Sequence, residues 1–150
     1  RAKTHNYLNL IIADMEAKAQ DPEAWAILLD TRGFLAEGIG SNIFTIKNGV
    51  IYTPQEQYVL GGISRETAIE MAERIDVPVV TKDIDLFDAM TADEIFLTST
   101  SLCICGVRSL QGRKIGDGSP AGPITKALMD EYVDFVEYDW LGQYLKRLEG

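Results

Sequence analysis

Glu37 is the residue of this chain best placed to do chemistry. It lies in Leu35-Ala36-Glu37-Gly38-Ile39-Gly40-Ser41-Asn42-Ile43-Phe44, between two apolar runs of strand length. Gly38 and Gly40 follow it, so the sequence predicts a glycine-loosened turn with nothing to crowd whatever meets the carboxylate. A metal, a sugar or acid–base chemistry would all suit such an acid. Two further stretches suit an anion. Gly61-Gly62-Ile63-Ser64 precedes a helical pattern, with Ser64 as the expected N-cap. The unpaired amides of a helix start sit at the positive end of its dipole and favour phosphate. An ordinary cap accounts for the same residues. Thr98-Ser99-Thr100-Ser101 follows a buried apolar run, and ligands bind at such strand ends in α/β sheets. Alone, that stretch reads rather as a polar loop. Together, the two suggest a phosphate gripped from two sides.

Other polar residues carry less. Lys3 by itself reads as a solvated lysine, and His5, the one histidine, has no second ligand or nucleophile near it in sequence. Arg65 and Arg108 have charged or polar neighbours and read as readily as surface residues as carboxylate holders. The acidic pairs Asp83/Asp85 and Asp93/Glu94 read as solvated. Cys103 and Cys105 are too close in a strand for a good disulfide and have no metal-ligand cluster around them; two buried thiols in a reducing cytoplasm is the expectation.

These residues need a scaffold, and 150 residues suffice for one domain with a core. A content of 46% hydrophobic and 25% charged residues is that of an ordinary globular protein. The net charge of -9 disfavours nucleic acid and anionic membrane as partners. No apolar run has the length of a membrane span. Leu8, Ile11, Met15 and Ala19 predict a buried helical stripe capped by Thr4 or Asn6 and ended by Asp21-Pro22. Strands are expected over 24–29, 34–36, 77–81, 94–97 and 104–110, with a hairpin over 42–53 turning at Asn48-Gly49. Helices are expected after Gly62, over 86–90, and after Gly122-Pro123. The mixture without strict alternation predicts an α/β (α+β) class, with a mixed, partly barrel-like sheet and flanking helices. A start that runs almost at once into helical periodicity predicts a piece of a longer polypeptide.

Several motifs then line up in order. They are Lys3-x-x-Asn6-Tyr7-Leu8, Glu37-Gly-x-x-Ser-Asn42-x-Phe44, Leu60-x-Gly62-Ile63-Ser64-Arg65, Asp93-Glu94-Ile95-Phe96 with Thr98-x-Thr100, and Gly116-Asp117-Gly118 before Gly122-Pro123-Ile124-Thr125. In these the chain resembles the large C-terminal domain of fold-type-IV (class IV) pyridoxal-phosphate enzymes, the group of branched-chain and D-amino acid aminotransferases, (R)-amine transaminases and aminodeoxychorismate lyase. The resemblance implies a D-amino acid aminotransferase-like fold, pyridoxal 5'-phosphate as cofactor, a homodimer, and an N-terminal small domain outside this chain. It implies that Lys3 forms the covalent link to the cofactor and that Tyr7 bonds its phenolic oxygen. Glu37 is implied to face the pyridine nitrogen and Leu60 to pack on the ring. Ile63 and Ser64 are implied to bind the phosphate, with Ser99 and Thr100 as its second contact, and Ser101 to lie where substrate carboxylate is held.

The implied chemistry is coherent. A carboxylate beside a pyridine nitrogen favours its protonated form, which stabilises the carbanion left when the α-carbon loses its proton. The freed lysine moves that proton. The resemblance thus implies a transaminase passing an amino group from a branched-chain or other apolar amino acid to a 2-oxo acid. D-amino acid or (R)-amine transamination, lyase chemistry, and a non-enzymatic binding module remain the alternatives.

Overall fold

The computed structural model describes residues 6–148. Helix α1 (Leu8–Gln20) ends at Asp21, whose backbone is extended while its N–H still bonds Ala17. Its cap position is Tyr7, with no side-chain bond to the first turn; Thr4 lies outside the described residues. The expected buried stripe is exposed instead. Leu8, Ile11 and Met15 are 66%, 52% and 66% exposed, and no residue of α1 is buried. Periodicity identifies an apolar face but not what covers it.

Strands β1 (Ile27–Leu29) and β2 (Leu35–Gly38) flank a turn closed by Asp30, whose carboxylate accepts from the N–H groups of Arg32 and Phe34. Strands β3 (Asn42–Lys47) and β4 (Val50–Thr53) form the expected hairpin. Asn48 and Gly49 both have positive φ, 51° and 80°, the primed geometry that matches strand twist. Strands β5 (Val79–Thr81), β6 (Glu94–Ser99) and β7 (Cys103–Gly106) complete a seven-stranded sheet. Among its described pairings, only β4–β5 is parallel. The sheet is built around β3. Strand β6 runs along one edge of it, from Asn42↔Thr98 to Ile46↔Glu94. The other edge is shared: β2 pairs at its start through Glu37↔Asn42, and β4 at its end. This forked, mixed sheet brings β2, β3 and β6 side by side at Asn42.

Two apolar clusters hold the sheet. In one, Phe44, Ile46, Phe96 and Ile104 meet Ala68, Met71 and Ala72 of helix α2 (Ile63–Arg74) and Leu128 of a later helix over Pro123–Val136. Phe44 and Phe96 are cross-strand partners and stack at 4.6 Å. In the other, Leu35, Ile43, Ile95 and Leu97 pack with Ala89 of α3 (Leu86–Met90). Apolar residues on both faces explain why β3 and β6 read as near-continuous apolar runs.

The expected strand over 104–110 divides. It ends at Gly106, and Ser109–Leu110 (β8) pairs with Arg113–Lys114 (β9) across Gln111 and Gly112, both with positive φ. Glu94 also departs from expectation. It is 8% exposed and caps the Pro123–Val136 helix (α4), accepting from the N–H groups of Ile124 and Thr125 at 3.0 and 2.8 Å. The residues that follow form helix α5 (Trp140–Leu148). No described helix is long and apolar enough to cross a membrane.

Candidate active site

Glu37 lies in strand β2 rather than in the turn after it, half-buried. The glycine after it is there for proximity: a Cβ on Gly38 would sit 2.2 Å from the Ser41 Oγ, inside the tight connection to β3. The Glu37 carboxylate is held. Its Oε2 accepts the Leu60 N–H at 2.9 Å. The Leu60 carbonyl in turn accepts from Asn42 Nδ2 at 3.0 Å. Both backbone polar groups of Leu60, in the two peptide units that flank its Cα, are therefore clasped by neighbouring strands, and the Leu60 side chain is half-buried beside them.

Two residues on, helix α2 begins. Its N-cap is Gly62, not Ser64, and no side chain caps it. The first helical hydrogen bond runs from the Glu66 N–H to the Gly62 carbonyl, so the amides of Ile63, Ser64 and Arg65 face outward without a helical acceptor. Ser64 is the second helical residue, and Ile63 is 87% exposed, which leaves its backbone as its contribution. The segment leading into α2 is tethered elsewhere too. Arg32 lies between the rings of Phe34 and Tyr58, 4.9 and 4.2 Å from their centroids, while it bonds Asp30 and Asp83. Gln55 donates to the same Asp83.

Strand β6 delivers the second anion stretch. Ser99 is its last residue, one past Thr98, the partner of Asn42. The Ser99 hydroxyl accepts the Leu102 N–H at 3.1 Å and lies 3.3 Å from the Ser101 Oγ. It thus shapes a tight turn with Thr100 and Ser101 exposed at its tip. Tyr7 is at the head of α1, which lies against β1, the partner of β2. Lys3 and His5 lie outside the described residues.

The arrangement fits an aromatic, phosphorylated cofactor. It provides a held carboxylate with one oxygen free of the Leu60 bond, a neighbouring apolar side chain, an uncapped helix start, and a hydroxyl-rich strand end. Thr98 Oγ1 is buried without a hydrogen-bond partner in the same row of the sheet. No group of metal-ligating side chains occurs among the described residues.

The comparisons with known proteins decide the family. The family model for amino-transferase class IV matches residues 1–110. The chain belongs to the class IV aminotransferases. Among its relatives, the branched-chain-amino-acid aminotransferase of Pseudomonas aeruginosa is 41% identical over 137 residues, covering 91% of this chain and 44% of that protein. A putative branched-chain-amino-acid aminotransferase of Methanocaldococcus jannaschii is 41% identical over 133 residues, covering 88% of this chain and 46% of its own. The crystal structure of the Escherichia coli branched-chain amino acid aminotransferase superposes with a TM-score of 0.82 at 32% identity, over 86% of this chain and 43% of that one. A second solved branched-chain amino acid aminotransferase, from T.th. and complexed with N-(5'-phosphopyridoxyl)-L-glutamate, gives 0.79 at 33% identity, over 85% of this chain and 42% of its own. The chain thus has the class IV aminotransferase fold and spans a little under half the length of the curated relatives it matches.

The sequence motifs give no separate role to Asn42 or Thr98. Asn42 had a usable signal, since asparagine is depleted in strands and here opens an apolar one. Arg65, expected as readily at the surface, is 1% exposed. Its Nη1 bonds Glu66 at 2.8 Å and its Nη2 the Pro54 carbonyl at 3.4 Å. Cys103 and Cys105 are free and partly buried, and burial pushes the Cys105 thiol up.

Proposed function

We propose that the protein is a pyridoxal-phosphate-dependent aminotransferase, moving the amino group of a branched-chain or other apolar amino acid to a 2-oxo acid such as 2-oxoglutarate. The observation that carries this is the Glu37 carboxylate, held by the Leu60 N–H beside the uncapped start of α2. The names of the relatives support the substrate class: branched-chain aminotransferases, one complexed with a phosphopyridoxyl-glutamate adduct and one with 4-methylvaleric acid.

Bound pyridoxal phosphate supplies a protonatable pyridine ring that draws electrons from the substrate α-carbon. In this reading Glu37 keeps the ring nitrogen protonated by opposite charge and transfers no proton to substrate. The amides of Ile63 and Ser64, with Ser99 and Thr100 on the other side, bind the phosphate. Leu60 covers the ring and keeps water from it. Tyr7 bonds the phenolic oxygen, Lys3 carries the cofactor and moves the α-proton, and the amide at Ser101 receives the substrate carboxylate.

The 150 residues then form one large, cofactor-binding domain of a longer two-domain enzyme, in line with relatives about twice as long. The exposed apolar stripe of α1 supports a homodimer in which a second copy covers it.

Borohydride reduction of the intact protein, followed by peptide mass spectrometry, tests the assignment. Cofactor fixed on Lys3 is expected; cofactor on another lysine, or none bound, refutes it. A panel of L- and D-amino acids and (R)-amines, run with 2-oxoglutarate and pyruvate, tests the substrate class. Repeated turnovers releasing pyruvate from aminodeoxychorismate, with no 2-oxo acid added, would instead identify a lyase.

A further inference from the structure

Asn42 touches every segment to which the cofactor reading assigns a role within the sheet and the loop before α2. Its backbone pairs with Glu37 on β2 and with Thr98 on β6. Its Nδ2 donates to the Leu60 carbonyl at 3.0 Å. Its Oδ1 lies so close to Gly62 that a Cβ there would approach it to 2.7 Å. It is 7% exposed, so this carboxamide is committed to those contacts rather than to water. The residue whose carbonyl it holds is the one whose N–H, in the preceding peptide unit, bonds the Glu37 carboxylate.

We propose that Asn42 is a positioning residue for the cofactor. By tying the Leu60 carbonyl to β3, it fixes the residue whose N–H sets the direction of the Glu37 carboxylate, and with it the distance from Glu37 to the start of α2. The inference rests on the cofactor reading above. The physical reason is geometric. A carboxylate with one oxygen pinned by an amide keeps a single orientation only while that amide is itself fixed. The amide belongs to a loop, and Asn42 ties the carbonyl of that same residue to β3. Without the carboxamide the Leu60 carbonyl loses its partner, and the Glu37 carboxylate is free to turn with the loop that carries Leu60.

The test uses the intact protein and reads the bound cofactor rather than turnover. The pH at which the cofactor's absorption is half changed is measured for the parent and for Glu37→Gln, Asn42→Ala and Gly62→Ala. The Gly62→Ala change keeps Asn42 but crowds its carboxamide, whose Oδ1 would lie 2.7 Å from the added Cβ, and the extended backbone there (φ -84°, ψ 140°) accepts alanine, so it serves should Asn42→Ala not fold, with loss of the Asn42–Leu60 bond checked by amide NMR. Both variants are expected to move the midpoint in the direction Glu37→Gln moves it. Pyridoxal phosphate should bind about tenfold more weakly to Asn42→Ala. In a Glu37→Gln background, Asn42→Ala should move the midpoint no further, because the carboxylate it aims is gone. A midpoint in Asn42→Ala or Gly62→Ala equal to the parent's, with Glu37→Gln displaced, overturns the positioning role and leaves the cofactor reading intact. A purely structural role would lower affinity and thermal stability without moving that midpoint. If Glu37→Gln itself leaves the absorption unchanged, the assignment of Glu37 fails and this inference fails with it.

Discussion

Replacing Glu37 by glutamine removes a charge and almost nothing else. The Leu60 N–H that donates to Glu37 Oε2 at 2.9 Å can donate to a glutamine carbonyl in the same place. The clasp on the loop therefore survives, and stability should change by no more than about 1 kcal/mol. The other half of the glutamine amide is then an N–H₂ group where the carboxylate oxygen stood. On the proposed assignment, opposite charge at close range raises the pKa of the cofactor's pyridine nitrogen by roughly one to three units, and that support would be lost. Each unit is about 1.4 kcal/mol, so the rate of α-proton loss should fall by roughly ten- to a thousandfold. Glu37→Ala separates the scaffold from the charge. It leaves the Leu60 N–H without its acceptor in a half-buried site, costing a further ~1–3 kcal/mol. For a domain of this size, each 1 kcal/mol lowers Tm by roughly 2–4 °C. The assay is a single-turnover reaction of the intact enzyme with one amino acid, followed by cofactor absorbance, alongside thermal melts. Glu37→Gln should react slowly with a Tm near the parent's, and Glu37→Ala should be slow and less stable. A Glu37→Gln enzyme that reacts at the parent's rate would refute the electrostatic role. One that melts as early as Glu37→Ala would refute the claim that the clasp survives.

Other outcomes follow from the same geometry. Glu94→Ala strips two N–H groups at the start of α4 of a buried carboxylate acceptor, so urea unfolding should show a loss of about 3–5 kcal/mol, whereas Glu94→Gln should keep part of it. Arg65→Met should cost under about 1 kcal/mol, because its carboxylate partners Glu56 and Glu66 are 68% and 59% exposed and return to water. The same change should speed amide hydrogen exchange at Tyr58, whose segment Arg65 tethers at Pro54. The Lys47 ammonium and the Asn48 N–H hold the Asp93 carboxyl below the usual aspartate range. A depressed carboxyl stabilises the fold above about pH 4 and loses that contribution as pH falls through its lowered value. Carboxyl NMR should therefore find a low midpoint for Asp93 that returns towards the ordinary range in Lys47→Met.

The sequence by itself determined what depends on neighbours along the chain. Asn48-Gly49 dictates a primed turn because those residues accept positive φ, and the hairpin over 42–53 follows. The apolar runs of β3 and β6 and the stripe Ala68, Met71 and Ala72 of α2 mark the core for the same local reason. Glu37 and Ile63-Ser64 were legible as candidates because carboxylates and glycines are unusual in such surroundings, whereas Leu60 entered only through the family resemblance. Contacts between distant segments were not legible. The exposure of α1 depends on what packs against it, which periodicity cannot specify. The burial of Arg65 and Glu94 depends on partners at Pro54 and at Ile124–Thr125, reached only across the fold. The Asn42–Leu60–Glu37 clasp joins residues up to 23 positions apart. Tertiary structure alone decided it, because β2, β3 and the loop before α2 meet only once the sheet has formed around β3.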